Sequence, residues 1–578
     1  MNQILQFLNG QGSASALAAY RMALRIGLPL LALLIIVRTA RSLLGFRREP
    51  EVWAWLRLAA DQLIPVTHWE NLMGRKKNAD IVLDFATVSK NHAVLTRRDD
   101  GSWTITDIGG KGRVEVNGNP VLNGAVAYGD VIGLGGLEMT LEPVSREEAR
   151  LQAGARTRAG KGHSPGLTLI LLTLMQAVVV LSFLVNGADG RTKILTAFGV
   201  LAGVEWALFI AQKLIRRSGF ELETIAFFLM TMGLAVIASD NPANLNKQLI
   251  SMEIGLVMFF TLGLFLRDLE KAKKLRYAAA IAGVVLLLAN LALGARVNGA
   301  KNWIYLGGFS FQPSELVKVC FVLAGASTMD QIVTRKNLLL FIVYTAFIGA
   351  CLVVLNDFGT AAVFFVGFLA IALLRSSSYP SIALVFVGLG MAAVMVVTVI
   401  LTVKYFPHVG RRFSGYGHIW SHMSDTGYQQ ANALICVASG GLFGLGAGCG
   451  WLKHVAASDT DLVLAFLCEE WGLLMAGIVI FALAVLGLFV VRSAKLGRSS
   501  FYTIGATAAV SILLFQAILN FFGTVDFLPL TGVTFPFVSN GGSSLMSCWA
   551  MLAFVKACDT RQNASFAVKL AEKEAEKA

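Results

Sequence analysis

Two patterns of apolar and polar positions divide the chain. Uninterrupted apolar runs long enough to cross a bilayer as helices fill most of it. The first lies at about 22–40 and contains IGLPLLALLIIV. Further spans are predicted near 167–186, 192–213, 222–239, 249–266, 276–294, 314–332, 337–355, 360–375, 381–403, 463–491, 503–523 and 543–558, about thirteen in all. Residues 50–160 read differently. Charge returns, and short alternating stretches (DIVLDFA, HAVLTRRD, SWTITDI, RVEVNG, DVIGLGG) are separated by the turn signals DDG, GGKG and NGNP. That spacing predicts a small all-β sandwich. REEARLQAGARTRAGKGHSPG then reads as a basic, flexible linker.

Charge around the runs orients them. The first run is followed, not preceded, by arginines (RTARSLLGFRRE), which places the next segment in the cytoplasm and the N-terminus outside. RDLEKAKKLR (267–276), Arg216 with Arg217, Arg335 with Lys336, and Arg492 to Arg498 fall on that inner side. So do the sandwich and the Lys-rich tail. Two long loops remain outside, about 295–313 and 404–462, and long loops of this kind carry function.

Composition narrows the classes. The 578 residues are 56% hydrophobic and 15% charged, with mean hydropathy +0.65. An ordinary soluble domain has roughly 25% charged residues. A soluble enzyme, a disordered chain and a disulfide-stapled domain are excluded, and a polytopic α-helical membrane protein embedded in membrane lipid remains. The net charge of +13 follows from basic cytoplasmic loops, so nucleic acid is not an expected partner. None of the seven cysteines forms a C-x-x-C pair, which points away from zinc and redox motifs.

Several charged groups stand where lipid would penalise them. In NGAKNWIYLGGFSFQPSELVK, Trp303 and Tyr305 suit the interface and Pro313 can open a helix. Glu315 and Lys318 then share one helical face. They read either as a structural ion pair or, with Lys301, as an anion site. Asp357 in LNDFGT can cap the following span. Arg411 and Arg412 are adjacent outer cations suited to a phosphate-rich ligand. Asp461, before an apolar helix that carries Glu469 and Glu470, is either a cap or a general base. The glycine-rich run 440–450 lacks the Lys-Ser/Thr ending of a phosphate loop. His418 and His422, at i and i+4 near Asp425, have no clear third ligand, so no metal residues are assigned and a divalent cation stays open as a cofactor. PLTGVTFPFVSNGGSS (529–544) needs a cavity or protein around its irregular backbone.

GAKNWI with FSFQPSELVK, NDFGT, GYQ with SGGLFGLGAG, DTDLVLAFLCEEWG and PLTGVTFPFVSNGGSS, in that order, resemble the SEDS family (FtsW/RodA/SpoVE type) over about 220–560. The resemblance implies a core of about ten spans that polymerises lipid II outside the membrane, with a class B penicillin-binding protein as partner. It implies that Asp461 is the catalytic acid–base residue, and it places Lys318 and Glu315 in the family's P-S-E-L-x-K motif. With Lys301, Trp303, Arg411 and Arg412 these would bind substrate pyrophosphate. Departures stand at Asn302, Asp459, Asn432, Ala433 and Asn540. The spans near 167–186 and 192–213 are additions to the core.

MGRKKNADIVLDFATVSKNH, EVNGNPV and GDVIGLGGLEMTLEP resemble a forkhead-associated (FHA) domain. That implies a phosphothreonine-containing protein as partner, bound by Arg75, Ser89 and Lys90, with His92 structural. GKGR (Gly110 to Arg113) replaces the family's S-x-N-G. The expected organisation is an anchor at 1–45, the sandwich at 50–147, a linker at 148–166, two added helices at 167–213, the core at 220–560 and a charged tail at 561–578. The rival readings are a lipid-precursor flippase or transporter, and a non-catalytic cell-wall scaffold.

Overall fold

The computed structural model describes residues 14–45, 51–374 and 416–560, apart from 59, 60, 78, 99, 111, 160–163, 216, 218, 298, 299, 307, 308, 331–334, 495, 496 and 498. A long helix, α1 (Ala14–Leu44), leads into eleven strands: β1 (Ala54–Leu58), β2 (Leu63–Val66), β3 (Glu70–Gly74), β4 (Ile81–Val82), β5 (Ala93–Arg97), β6 (Trp103–Asp107), β7 (Val114–Val116), β8 (Asn119–Pro120), β9 (Asn123–Val126), β10 (Val131–Leu134) and β11 (Leu137–Pro143). They form two facing sheets, ordered β2-β1-β11-β10-β7-β8 and β4-β3-β5-β6-β9. Alternation decides what each strand buries. Ala93 and Leu95 of β5, and Ile132 and Leu134 of β10, point into a core shared with Met73, Trp103, Ile105 and Leu141. Asn117 and Gly118, at φ 51° and 77°, close the two-residue hairpin between β7 and β8, the geometry an Asn-Gly pair tolerates best.

The flexible linker expected after the sandwich begins instead as a helix, α2 (Arg146–Ala159). Its start carries a reciprocal capping box: Glu148 N–H donates to Ser145 Oγ, and Ser145 N–H donates to the Glu148 carboxylate, both at 3.2 Å. The Ala, Arg and Glu residues that look like linker charge are also good helix formers.

The membrane part follows as α3 (Pro165–Val185), α4 (Arg191–Leu214), α5 (Glu221–Asp240), α6 (Leu245–Phe265), α7 (Leu269–Lys274), α8 (Arg276–Leu293), α9 (Pro313–Asp330), α10 (Arg335–Val354), α11 (Phe358–Leu374), α12 (Tyr428–Gly440), α13 (Val463–Ala494), α14 (Ser500–Thr524) and α15 (Gly542–Ala557). Eight of the described helices are long and apolar enough to cross a membrane. The span predicted at 381–403 lies outside the described residues. α5 is buried along almost its whole length. The pair α3 and α4 is pinned to it by polar side chains. Gln176 bridges Glu205 (2.9 Å) and Thr231 (3.2 Å), and Gln212 donates to Glu223 (2.8 Å), which also pairs with Lys556 of α15 at 3.0 Å. In lipid such bonds hold helices together because apolar contact alone gives little preference between neighbours.

Two features depart from the apolar pattern. The loop before α9 is a small sheet, β12 (Ala295–Val297), β13 (Ala300–Leu306) and β14 (Phe309–Phe311). And α13 is broken at Gly472, whose φ is 86°.

Candidate functional site

The site grows from the turn before α13. Ala457 adopts φ 60°, and its carbonyl accepts the amides of Asp461 (3.0 Å) and Leu462 (3.2 Å). The Asp461 carbonyl in turn accepts Asn520 Nδ2 at 3.0 Å and Thr524 Oγ1 at 3.4 Å from the C-terminal end of α14. Asn520 Nδ2 also reaches the Val533 carbonyl at 2.9 Å, so one amide holds both the Asp461 turn and the 529–541 segment. That segment is sewn on further along. Ser539 Oγ donates to the Thr460 carbonyl (2.7 Å), and Asn540 donates to Asp459 through its amide (2.9 Å) and side chain (2.6 Å). Asp461 is half-buried, and its carboxylate faces Gly532, where a Cβ would stand 3.6 Å from Oδ2. Beside it, burial pushes the Asp459 carboxyl above the usual range, with the Asn540 hydrogen bond acting against that shift.

Of the other charged residues, Asp357 and the Glu315–Lys318 pair lie beside this segment or its continuation into α15. Thr531 and Val533 lie where a Cβ on Gly359 would go, two residues after Asp357. Asp357 caps α11 by accepting Thr360 N–H at 3.0 Å, and it also accepts Asn302 Nδ2 at 2.8 Å. Glu315 and Lys318 form a buried pair at 2.6 Å on α9, and Ser547 of α15 donates to Glu315 at 2.9 Å. Gln312 N–H donates to Ser543 Oγ at 3.2 Å. Residues 529–547 therefore bridge Asp461 to the Glu315–Lys318 pair. Lys301 donates its ammonium to the Leu291 carbonyl at the end of α8, and Trp303 sits half-buried opposite Ala295 in β12–β13. Arg411 and Arg412 lie outside the described residues.

Glu469 and Glu470 are taken up by the chain itself. Glu469 accepts the amides of Trp451 (2.8 Å) and Leu452 (2.9 Å), and Glu470 those of Gly448 and Gly450 (both 3.1 Å). Where α13 unwinds at Gly472, the freed carbonyls of Glu469 and Glu470 accept Leu445 and Gly446 N–H. The freed amides of Leu473 and Leu474 donate to the Gly441 and Leu442 carbonyls. The glycine-rich run thus repairs a broken helix, and its amides already face carboxylates. Among the described residues, no group of three or more His, Cys, Asp and Glu side chains could hold a metal ion. His418 and His422 are exposed.

Asn520 was not singled out by sequence reasoning. The signal available was a polar residue inside the apolar run LLFQAILNFFGT.

At the sandwich rim, Gly74 ends β3 where a Cβ would collide with the Lys90 carbonyl. Arg75 N–H donates to the Ser89 carbonyl at 3.0 Å, and Lys76 N–H to that of Lys90 at 3.2 Å. Arg75 and Lys90 are exposed and Ser89 half-buried, all on one rim. His92 is buried, accepting Ser89 N–H (3.2 Å) on Nδ1 and meeting the Gly112 carbonyl (3.2 Å) through Nε2. It braces the loop and does not face solvent.

Residues 214–564 match the protein family described as Cell cycle protein (FtsW/RodA/SpoVE), and residues 71–135 match the FHA domain. The chain is 29% identical over 339 residues to the peptidoglycan glycosyltransferase RodA of Mycobacterium tuberculosis (strain ATCC 25618 / H37Rv), which covers 55% of this chain and 71% of that protein. It is 28% identical over 363 residues to the probable peptidoglycan glycosyltransferase FtsW of Bacillus subtilis (strain 168), covering 60% and 88%. The crystal structure of Thermus thermophilus RodA aligns with a TM-score of 0.42 at 24% identity, over 58% of this chain and 95% of that one.

Proposed function

Because the chain belongs to the FtsW/RodA/SpoVE family of cell cycle proteins, we propose that it polymerises lipid II into peptidoglycan glycan strands on the outer face of the cytoplasmic membrane. The observation that carries this reading is the Asp461 carboxylate. Asp461 is half-buried just before α13, and its main chain is held by α14 and by the turn at Ala457. A carboxylate on a main chain held this firmly is preorganised for proton transfer.

In the proposed reaction Asp461 removes the proton of the acceptor sugar's 4-hydroxyl. The oxygen attacks the anomeric carbon of the donor, the bond from that carbon to the pyrophosphate oxygen breaks, and undecaprenyl pyrophosphate leaves with the electron pair. A single displacement inverts the anomeric carbon and needs no second carboxylate as nucleophile. Lys318, paired with Glu315, is a fixed positive centre behind the 529–547 bridge. Lys301, Trp303, Arg411 and Arg412 complete the proposed pyrophosphate-binding set.

On the inner face, Arg75, Ser89 and Lys90 read a phosphothreonine-containing protein, with the phosphate taken by the Arg75 guanidinium. The N-terminus lies outside, the sandwich and C-terminus lie in the cytoplasm, and a class B penicillin-binding protein cross-links the product. The test is polymerisation of purified lipid II in liposomes, with and without such a partner. Glycan chains from the wild type and none from Asp461→Ala support the reading. No chains under any condition, from folded protein beside an active related synthase, overturn it and favour a scaffold or, if lipid flips, a transporter.

A further inference from the structure

The sandwich is not held by its linkers alone. Its β2–β3 corner is seated on the inner end of the membrane part. Trp69 is buried among the membrane helices' apolar residues, not in the sandwich core, and its ring meets Tyr502 of α14 edge-on at 6.3 Å. Trp53 packs against both cores and stands 5.9 Å from Trp69, under the Arg97 guanidinium. Beside them Glu70 pairs with Lys273 at 2.8 Å, accepts Ser499 Oγ at 3.1 Å, and accepts Ser500 N–H at 3.3 Å. A carboxylate from the sandwich therefore sits at the N-terminus of α14, where the helix leaves amides unpaired and favours negative charge.

α14 is the helix whose other end holds Asp461. It has no proline and packs on α9, α11, α13 and α15. From Ser500 to Asn520 it runs about 30 Å. At the far end Asn520 is buried and its Nδ2 binds the Asp461 and Val533 carbonyls together. The seat also leaves the phosphate rim open. Glu70 begins β3 and Arg75 follows its last residue, so the two lie at opposite ends of one strand, about 13 Å or more apart.

We propose that Glu70 and Asn520 are positioning residues of one device, in which the seated sandwich fixes the inner end of α14 and α14 fixes the turn that carries Asp461. The kinetic part of this inference rests on the proposed glycosyltransferase activity; the structural part does not.

The experiment uses the full chain in liposomes, with Glu70→Ala, Glu70→Gln, Lys273→Met, Asn520→Ala and the double variant Glu70→Ala/Asn520→Ala. Hydrogen exchange is followed at residues 457–462 and 533–540, and lipid II polymerisation in parallel. Binding of a phosphothreonine peptide shows that the sandwich remains folded. The expected result for Glu70→Ala is exchange at least about tenfold faster around Asp461, peptide binding unchanged, and kcat several-fold lower with KM for lipid II unchanged. Glu70→Gln recovers part of the loss, Lys273→Met reproduces it, and the double variant is no worse than Asn520→Ala alone. Faster exchange confined to the seat, with kcat unchanged, overturns the inference and leaves the activity reading standing. If the wild type makes no glycan, the activity reading fails, and the exchange data alone decide the inference.

Discussion

At the rim of the sandwich Arg75 and Lys90 project into water, whereas inside the membrane part Lys318 lies against Glu315 and Lys556 against Glu223. The same residue types are handled in opposite ways because the solvent differs. Water compensates an unpaired cation at the rim, so a phosphate can be met by simple addition. Lipid and packed protein do not, so a buried cation must be paired before any ligand arrives. The backbone follows the same division. Turns of the sandwich close on themselves, as where Gly101 N–H donates to the Arg98 carbonyl, while the break in α13 is closed group by group by the distant glycine-rich run.

The comparison breaks most sharply if the buried pairing is removed. Lys318→Met leaves Glu315 without its cation and is expected to cost about 3–5 kcal/mol in thermal unfolding in detergent, with much of it restored by adding Glu315→Gln. Next comes Gly472→Ala. A Cβ there would collide with the Leu442 carbonyl, at a φ that side chains avoid, so a loss of about 2–3 kcal/mol is expected by the same measurement. Arg75→Ala tests the solvated half: phosphothreonine-peptide affinity should fall roughly tenfold or more while the melting temperature stays put. The smallest effect belongs to the α3–α4 pair. Gln176→Leu removes bonds to Glu205 and Thr231 and should cost about 0.6–1.7 kcal/mol, read as earlier melting.

What the sequence makes legible follows from the range of each interaction. The apolar runs and the alternation of the sandwich are local periodicities, and most described helices and strands stand where they place them; α12 (Tyr428–Gly440) lies in the stretch 404–462 that reads as a loop. Ser145 and Glu148 also carry a local signal, but linker composition masks it. Asn520 and Asp461 are 59 positions apart, and no local pattern links an Asn in an apolar run to a distant carbonyl. Glu70 looks like an ordinary strand-edge acid until Lys273 and Ser500 are brought beside it. The strands β12 and β14 are three residues each, and β13 (AKNWIYL) does not alternate cleanly, so none stands out from a loop. Glu469 and Glu470 stand in the sequence only as charges inside an apolar run, and the folded glycine-rich run reveals the amides they serve.

The most direct test of the account is the polymerisation rate of Asp461→Asn in liposomes beside the wild type. Asn520 and Thr524 hold the main-chain carbonyl of residue 461, so this change removes the proposed base and leaves those main-chain hydrogen bonds in place. The account predicts a loss of at least about 100-fold in kcat with an unchanged melting temperature. An Asp461→Asn protein that elongates glycan at the wild-type rate would contradict it.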